Sequence, residues 1–126
     1  MHFLEPLLAR SAGAQALWID GRDVPLATTV ETAFDAASRK KGLLGRDGLA
    51  EGAALVIAPC SGVHTFAMRF PIDVIFVRRD GRVVKVRRAM PAGRMSASLG
   101  AFATVEMSAG AADRAGLQVG DRLVVR

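Results

Sequence analysis

Side chains able to do chemistry are concentrated in residues 59–76, where the only cysteine, Cys60, one of two histidines, His64, and the carboxylate of Asp73 lie among apolar, strand-forming residues. A thiol near an imidazole has the makings of a nucleophile and its base, with backbone amides near Gly62 available to a developing oxyanion. Cys60, His64 and Met68 are also soft ligands of the kind that suit zinc or reduced copper. Spacing limits both readings. Four residues of extended chain span about 13 Å, whereas metal bonds are about 2 Å long, so Cys60 and His64 can meet only if Ser61-Gly62 turns the chain back. The ligand count is short as well, because the chain has no second cysteine and His2 lies far away in sequence. No metal and no cofactor are expected. A lone cysteine cannot close an internal disulfide, which leaves a buried apolar thiol as the commonest role, ahead of a reactive one.

The hairpin downstream places further polar groups. A two-residue turn at Asp80-Gly81 would pair Arg79 with Arg82, Val77 with Val84, Ile75 with Val86 and Asp73 with Arg88. Ile75, Val77, Val84 and Val86 then form a core face, with Asp73 at its far end either paired to Arg88 or acting as an acid or base. Val74, Phe76, Val83, Lys85 and Arg87 form the other, mixed face. Arg46 sits in a glycine-punctuated loop, 42–49, as an anion contact, and Glu106 lies in a strand over 103–107. These groups suggest a polar pocket of Arg46, Cys60, His64, Asp73 and Glu106. Arg46 would hold an anionic group, His64 and Asp73 would orient the ligand, and the catalytic candidates are Cys60, His64 and Asp73.

The elements that must position these residues follow from periodicity. Thr28-Thr29-Val30-Glu31 has the form of a capping box and predicts a helix, with Val30, Ala33, Phe34 and Ala37 on its buried face. Arg39, Lys40 and Lys41 suit its C-terminal dipole, and Gly42 its left-handed stop. Short strands are expected over 17–19, 24–27, 54–57, 63–68, 72–78, 82–88, 103–107 and 123–125, with a turn at Asp20-Gly21 and Pro25 at an edge or strand end. The fold class is α+β: a mostly antiparallel curled sheet or partial barrel with one main helix. Residues 1–14 read as a short, loose arm and 15–126 as a single domain around one core. No apolar run reaches the roughly 20 residues of a membrane span. The opening residues lack a basic start, and Glu5 and Pro6 interrupt their apolar run, so a cytoplasmic location is expected. The net charge of +5 would attract acidic partners. Nucleic acid is not expected, because no groove-entering motif or set of stacking aromatics accompanies the charge. A small anionic ligand or a protein partner remains.

Six segments in order, Gly42-Leu43-Leu44-Gly45-Arg46, His64-Thr65-Phe66-Ala67-Met68, Pro71-Ile72-Asp73-Val74-Ile75-Phe76, Asp80-Gly81-Arg82-Val83-Val84, Val105-Glu106-Met107-Ser108-Ala109-Gly110 and Gly116-Leu117-Gln118-Val119-Gly120-Asp121, resemble one family. It is the bacterial and archaeal family named domain of unknown function 192, and the resemblance covers about residues 15 to 126. The resemblance implies a compact β-rich α+β domain and carries no established activity, cofactor or catalytic residue. The last segment also looks like a helix-turn-strand piece of peptide-binding PDZ domains, and is read as a turn in which Asp121 ties its own backbone. The expected function is a small binding or accessory domain. The alternatives are a small Cys60/His64-dependent enzyme or a basic nucleic-acid or protein-interaction module.

Overall fold

A computed structural model describes residues 1–8 and 15–126. Apolar and β-branched runs bounded by Gly, Pro and Asp set the order α1 (Glu5–Leu8), β1 (Leu17–Ile19), β2 (Pro25–Ala27), β3 (Thr29–Ala33), α2 (Ala36–Lys41), β4 (Ala53–Ile57), β5 (Gly62–His64), β6 (Ile72–Val77), β7 (Val83–Met90), β8 (Met95–Ala97), β9 (Ala103–Ser108), α3 (Ala111–Ala115) and β10 (Leu123–Val125). The strands form three sheets of order β3-β4-β9-β6-β7, β10-β1-β2 and β5-β8, none closed into a barrel. Pairing is antiparallel except between β3 and β4. The α+β class and the mostly antiparallel sheet are therefore present, with three short helices among the described residues where one main helix was expected.

Every residue of β4 and β6 is buried. Apolar side chains on both faces of these strands divide the interior into two layers where one core was expected. Leu17, Ile19, Val56, Ile75, Val77, Val105 and Leu123 pack on one side, and Leu43, Leu55, Ile57, Ile72, Val74, Phe76 and Met90 on the other. The hairpin face read as mixed thus buries Val74 and Phe76 completely.

The helix expected from Thr28 begins later. Thr29–Ala33 runs parallel to β4, from Thr29 opposite Ala53 to Ala33 opposite Ile57. Thr29, Val30 and Thr32 are β-branched and fit a pleated surface, and β4 offers them a full backbone ladder. The cap is Asp35, whose Oδ1 accepts from the Ser38 amide at 2.8 Å. The helix ends at Gly42 as expected, where the Gly42 amide donates to the Ser38 carbonyl, but at φ +49° and ψ −127° the glycine is outside the left-handed helical region that was expected.

The hairpin turn is one residue longer than the sequence pattern implies. Arg78 N–H donates to the Arg82 carbonyl at 2.9 Å and Gly81 N–H to the Arg78 carbonyl at 3.0 Å. Val77 therefore faces Val83, and a bulge restores Ile75 to Val86. Gly81 adopts φ +92°, and a side chain there would collide with the Leu123 carbonyl. The close approach lets Leu123 N–H donate to the Gly81 carbonyl at 2.7 Å, which lashes the small sheet to the hairpin. Residues expected to form a loose arm dock in the same region: Leu4 is fully buried, and Phe3 N–H donates to the Arg79 carbonyl at 2.8 Å.

Asp73 does not pair with Arg88. Its Oδ1 accepts from the amides of Ala89 at 2.8 Å and Gly110 at 3.2 Å, and its Oδ2 from that of Ala112 at 2.9 Å. Register irregularity beside Asp73 and the positive φ of Ala89, +47°, turn the Ala89 amide inward, and the start of α3 supplies the other two. Arg88 instead meets Asp113 at 2.9 Å and the Leu117 carbonyl. Three amide donors satisfy a buried carboxylate without enclosing a second charge. Asp73→Ala should therefore cost about 3 kcal/mol or more of unfolding free energy, since it leaves buried donors unpaired. Urea titration showing a loss below about 1 kcal/mol would contradict the role of Asp73 as the junction.

Candidate functional site

Glu31 on β3, Leu55 on β4, Glu106 on β9, Val74 on β6 and Arg87 on β7 stand in one row across the large sheet. Side-chain alternation puts Glu106 on the face of the second apolar layer, near Ile57 and Phe76. Two segments cover this face. The first is α2 with its following loop, held by the Asp35 cap and inserting the fully buried Leu43. Its end comes close to the sheet, so that a Cβ on Gly42 would stand 3.6 Å from Glu106 Oε1.

The second cover is the chain around β5. Cys60 N–H donates to the Phe102 carbonyl at 2.9 Å, and Thr104 Oγ1 donates to the Cys60 carbonyl at 3.3 Å. Beyond β5, fully buried Thr65 donates its hydroxyl to the Pro91 carbonyl at 2.6 Å and accepts from the Arg94 amide at 3.0 Å. A cavity of about 190 Å³ remains between the covers, lined by Arg39, Lys40, Lys41, Leu43, Leu44, Ile57, Cys60, Val63, His64, Met68 and Glu106.

Glu106 is only 5% exposed, and its Oε1 has no hydrogen-bond partner. Burial pushes its carboxyl up to about 7, against the opposing attraction of Arg46. Arg46 is not free to hold a ligand as expected, because its guanidinium binds both carboxylate oxygens of Glu31 at 2.9 and 3.0 Å. That fork holds Glu31 below the ordinary carboxylate range. Arg39 carries a buried donor without a partner: its Nη1 donates to the Pro59 carbonyl at 3.2 Å while its Nε has none. The sequence pattern presents Arg39 only as a helix-end charge. Its position three residues before Gly42 matters only because the Gly42–Leu43–Leu44 turn folds over Glu106.

Cys60 and His64 line the same cavity but are turned to their own backbone. The half-buried Cys60 thiol donates to the Gly62 carbonyl at 3.2 Å. His64 is exposed, its Nδ1 accepts from the Phe66 amide at 3.3 Å, and its ring stacks on Phe66 at 5.0 Å. No thiol–imidazole hydrogen bond joins them. The structure thus brings together Cys60, His64 and Glu106, leaves Arg46 alongside in an ion pair, and places Asp73 on the opposite face of the sheet, pointing away from the cavity. Among the described residues no three His, Cys, Asp or Glu side chains are grouped so as to hold a metal ion.

Linkage fixes how Glu106 responds to pH. Folded, it keeps its proton to about pH 7, against an ordinary value of 4.5. Its contribution is full below the lower value and is lost as pH rises to the higher one. Glu106→Gln should flatten that fall and be about 1–3 kcal/mol more stable than wild type at pH 8. Parallel stability profiles in urea from pH 4 to 8 would assign the fall to another group.

Three short helices packed on open sheets, with a small polar cavity under one of them, define a compact β-rich α+β fold. The family model for domain of unknown function 192, described as "Uncharacterized ACR", matches residues 17–125, and the chain belongs to that family. The fold recurs in a protein of unknown function from Novosphingobium aromaticivorans, with a TM-score of 0.75 and 23% identity, covering 86% of this chain and 82% of the other. It recurs also in a Sinorhizobium meliloti protein described as a candidate transcription regulator, with a TM-score of 0.76 and 24% identity, covering 86% and 89%. No curated protein matches the chain. No reaction is established for the family, and among the described residues no helix is long and apolar enough to cross a membrane.

Proposed function

We propose that the protein binds a small ligand in the cavity between α2 and β5, with Glu106 at its floor. The observation that carries this reading is the buried, unpartnered Oε1 of Glu106. Such a group costs about 1–3 kcal/mol when nothing satisfies it, and a fold that keeps it beside an open cavity suits a partner that arrives with the ligand. The backbone next to the cavity supports the reading, since Ala67, between His64 and Met68, has φ +63°. Strain of that kind accumulates at ligand-contacting segments.

The volume of about 190 Å³ lies below the roughly 300 Å³ of a drug-sized site. The ligand is therefore a fragment-sized molecule. Cys60 and His64 contribute wall and contact surface, and their separate backbone bonds argue against a nucleophile and base. A half-buried free thiol in the wall suits a reducing compartment such as the cytoplasm. A nucleic-acid module is less well supported: six arginines already face carboxylates, and those near the β6–β7 turn that pair with none among the described residues, Arg78, Arg79, Arg82 and Arg122, come without a set of stacking aromatics.

Amide NMR spectra of the full chain, titrated with isovaleramide and isovalerate, test the reading. Shifts should concentrate in residues 39–44, 60–68 and 106, and filling the cavity by Val63→Trp should abolish them. Scattered shifts, or shifts that survive Val63→Trp, would overturn it.

A further inference from the structure

The cavity's own chemistry narrows the ligand class, an inference that rests on the cavity being the binding site. We infer that the ligand is a small organic oxyanion, such as a carboxylate carried on an apolar body, received between Arg39 and protonated Glu106 so that binding at neutral pH takes up a proton.

Two groups at this cavity lack partners, and they ask for different things. Arg39 Nε–H is a donor only and needs an acceptor. Glu106 Oε1 can accept, or can donate when it carries the proton. The surroundings choose between ligands. α2 brings Arg39, Lys40 and Lys41 to the wall, whereas Glu31, two strands from Glu106 in the same row, is spent on Arg46. A cationic ligand would match an ionised Glu106 but would leave Arg39 unsatisfied and face three positive charges. A neutral amide could satisfy Glu106 while gaining little from those charges. An oxyanion accepts from Arg39 Nε–H with one oxygen. Its second oxygen would repel an ionised Glu106, but accepts a hydrogen bond from the protonated one. Leu44, Val63 and Met68 supply apolar wall for the remainder of the molecule.

His64 lines the same cavity, so the test must separate it from Glu106. Isothermal titration calorimetry of isovalerate into the full chain should show affinity falling about tenfold from pH 6 to pH 8 as the protonated fraction of Glu106 falls. Proton uptake at pH 8 should appear as a buffer-dependent heat. Glu106→Gln, whose amide can donate at any pH, should bind isovalerate with nearly equal affinity at both. Arg39→Leu should weaken isovalerate and spare isovaleramide.

Pocket-localised binding of isovalerate that is independent of pH would overturn the protonation of Glu106. Pocket-localised isovaleramide binding as tight as isovalerate in wild type would overturn the anion assignment. Either result leaves the cavity as a ligand site. Persistence of the pH dependence in Glu106→Gln would transfer it to His64 and overturn the inference. Failure of both probes to shift any cavity amide contradicts both the inference and the ligand-binding reading beneath it.

Discussion

Strands buried on both faces cannot leave a polar side chain to solvent, so each one must be met by what packs against it or remain costly. The two carboxylates on the central strands β6 and β9 resolve this constraint in opposite ways. Asp73 faces one layer and collects three backbone amides, drawing the β7 kink at Ala89 and the start of α3 together on a single side chain. Glu106 faces the other layer, and none of the described residues satisfies its Oε1. The first acid organises the fold and the second defines the cavity.

The cavity's walls are held independently of its contents. Asp35 caps α2, Gly42 ends it, and the fork between Arg46 and Glu31 pins the following loop to the edge strand β3. Opposite, the Cys60 backbone is hydrogen-bonded to Phe102 and Thr104, and Thr65 is bonded to the segment between β7 and β8. Loops anchored in this way on a rigid sheet are the usual carriers of binding groups. They also explain why the thiol and imidazole, neighbours on one wall, do not act on each other: each is committed to a turn that shapes its own loop.

Charge is distributed with the same selectivity. The chain is basic, and six of its arginines, Arg22, Arg46, Arg69, Arg88, Arg114 and Arg126, face carboxylates in pairs that contribute little stability. What remains unmatched near the cavity is the basic end of α2. The cavity therefore has positive charge at its wall and a carboxyl that burial tends to neutralise at its floor. Its preference among ligands comes from that local arrangement and not from the net charge.

Most of the strands, though not β3 or β8 and not the end of β5 at His64, the helix end at Gly42, the Asp121 turn, in which Asp121 Oδ2 accepts from the Gln118 amide at 2.8 Å, and the β-rich α+β class were legible from alternation and turn residues, because these are local preferences. Cys60, His64 and Glu106, which line the cavity, also stand out by residue type. Thr28-Thr29-Val30-Glu31 misled because a capping pattern and a β-branched strand share residues, and only the parallel ladder offered by β4 decides between them. The partner of Asp73 was misassigned because a one-residue change in turn length, followed by bulges, alters which groups lie opposite, and no local signal records that. Arg46 was expected at the ligand and Arg39 was not, since which cation is already consumed depends on where Glu31 lands across the sheet. Residue type and period thus determined which groups are available and roughly where the strands run. Tertiary packing alone decided which of those groups are satisfied and which are left facing a cavity, because satisfaction is a property of distances between segments far apart in sequence.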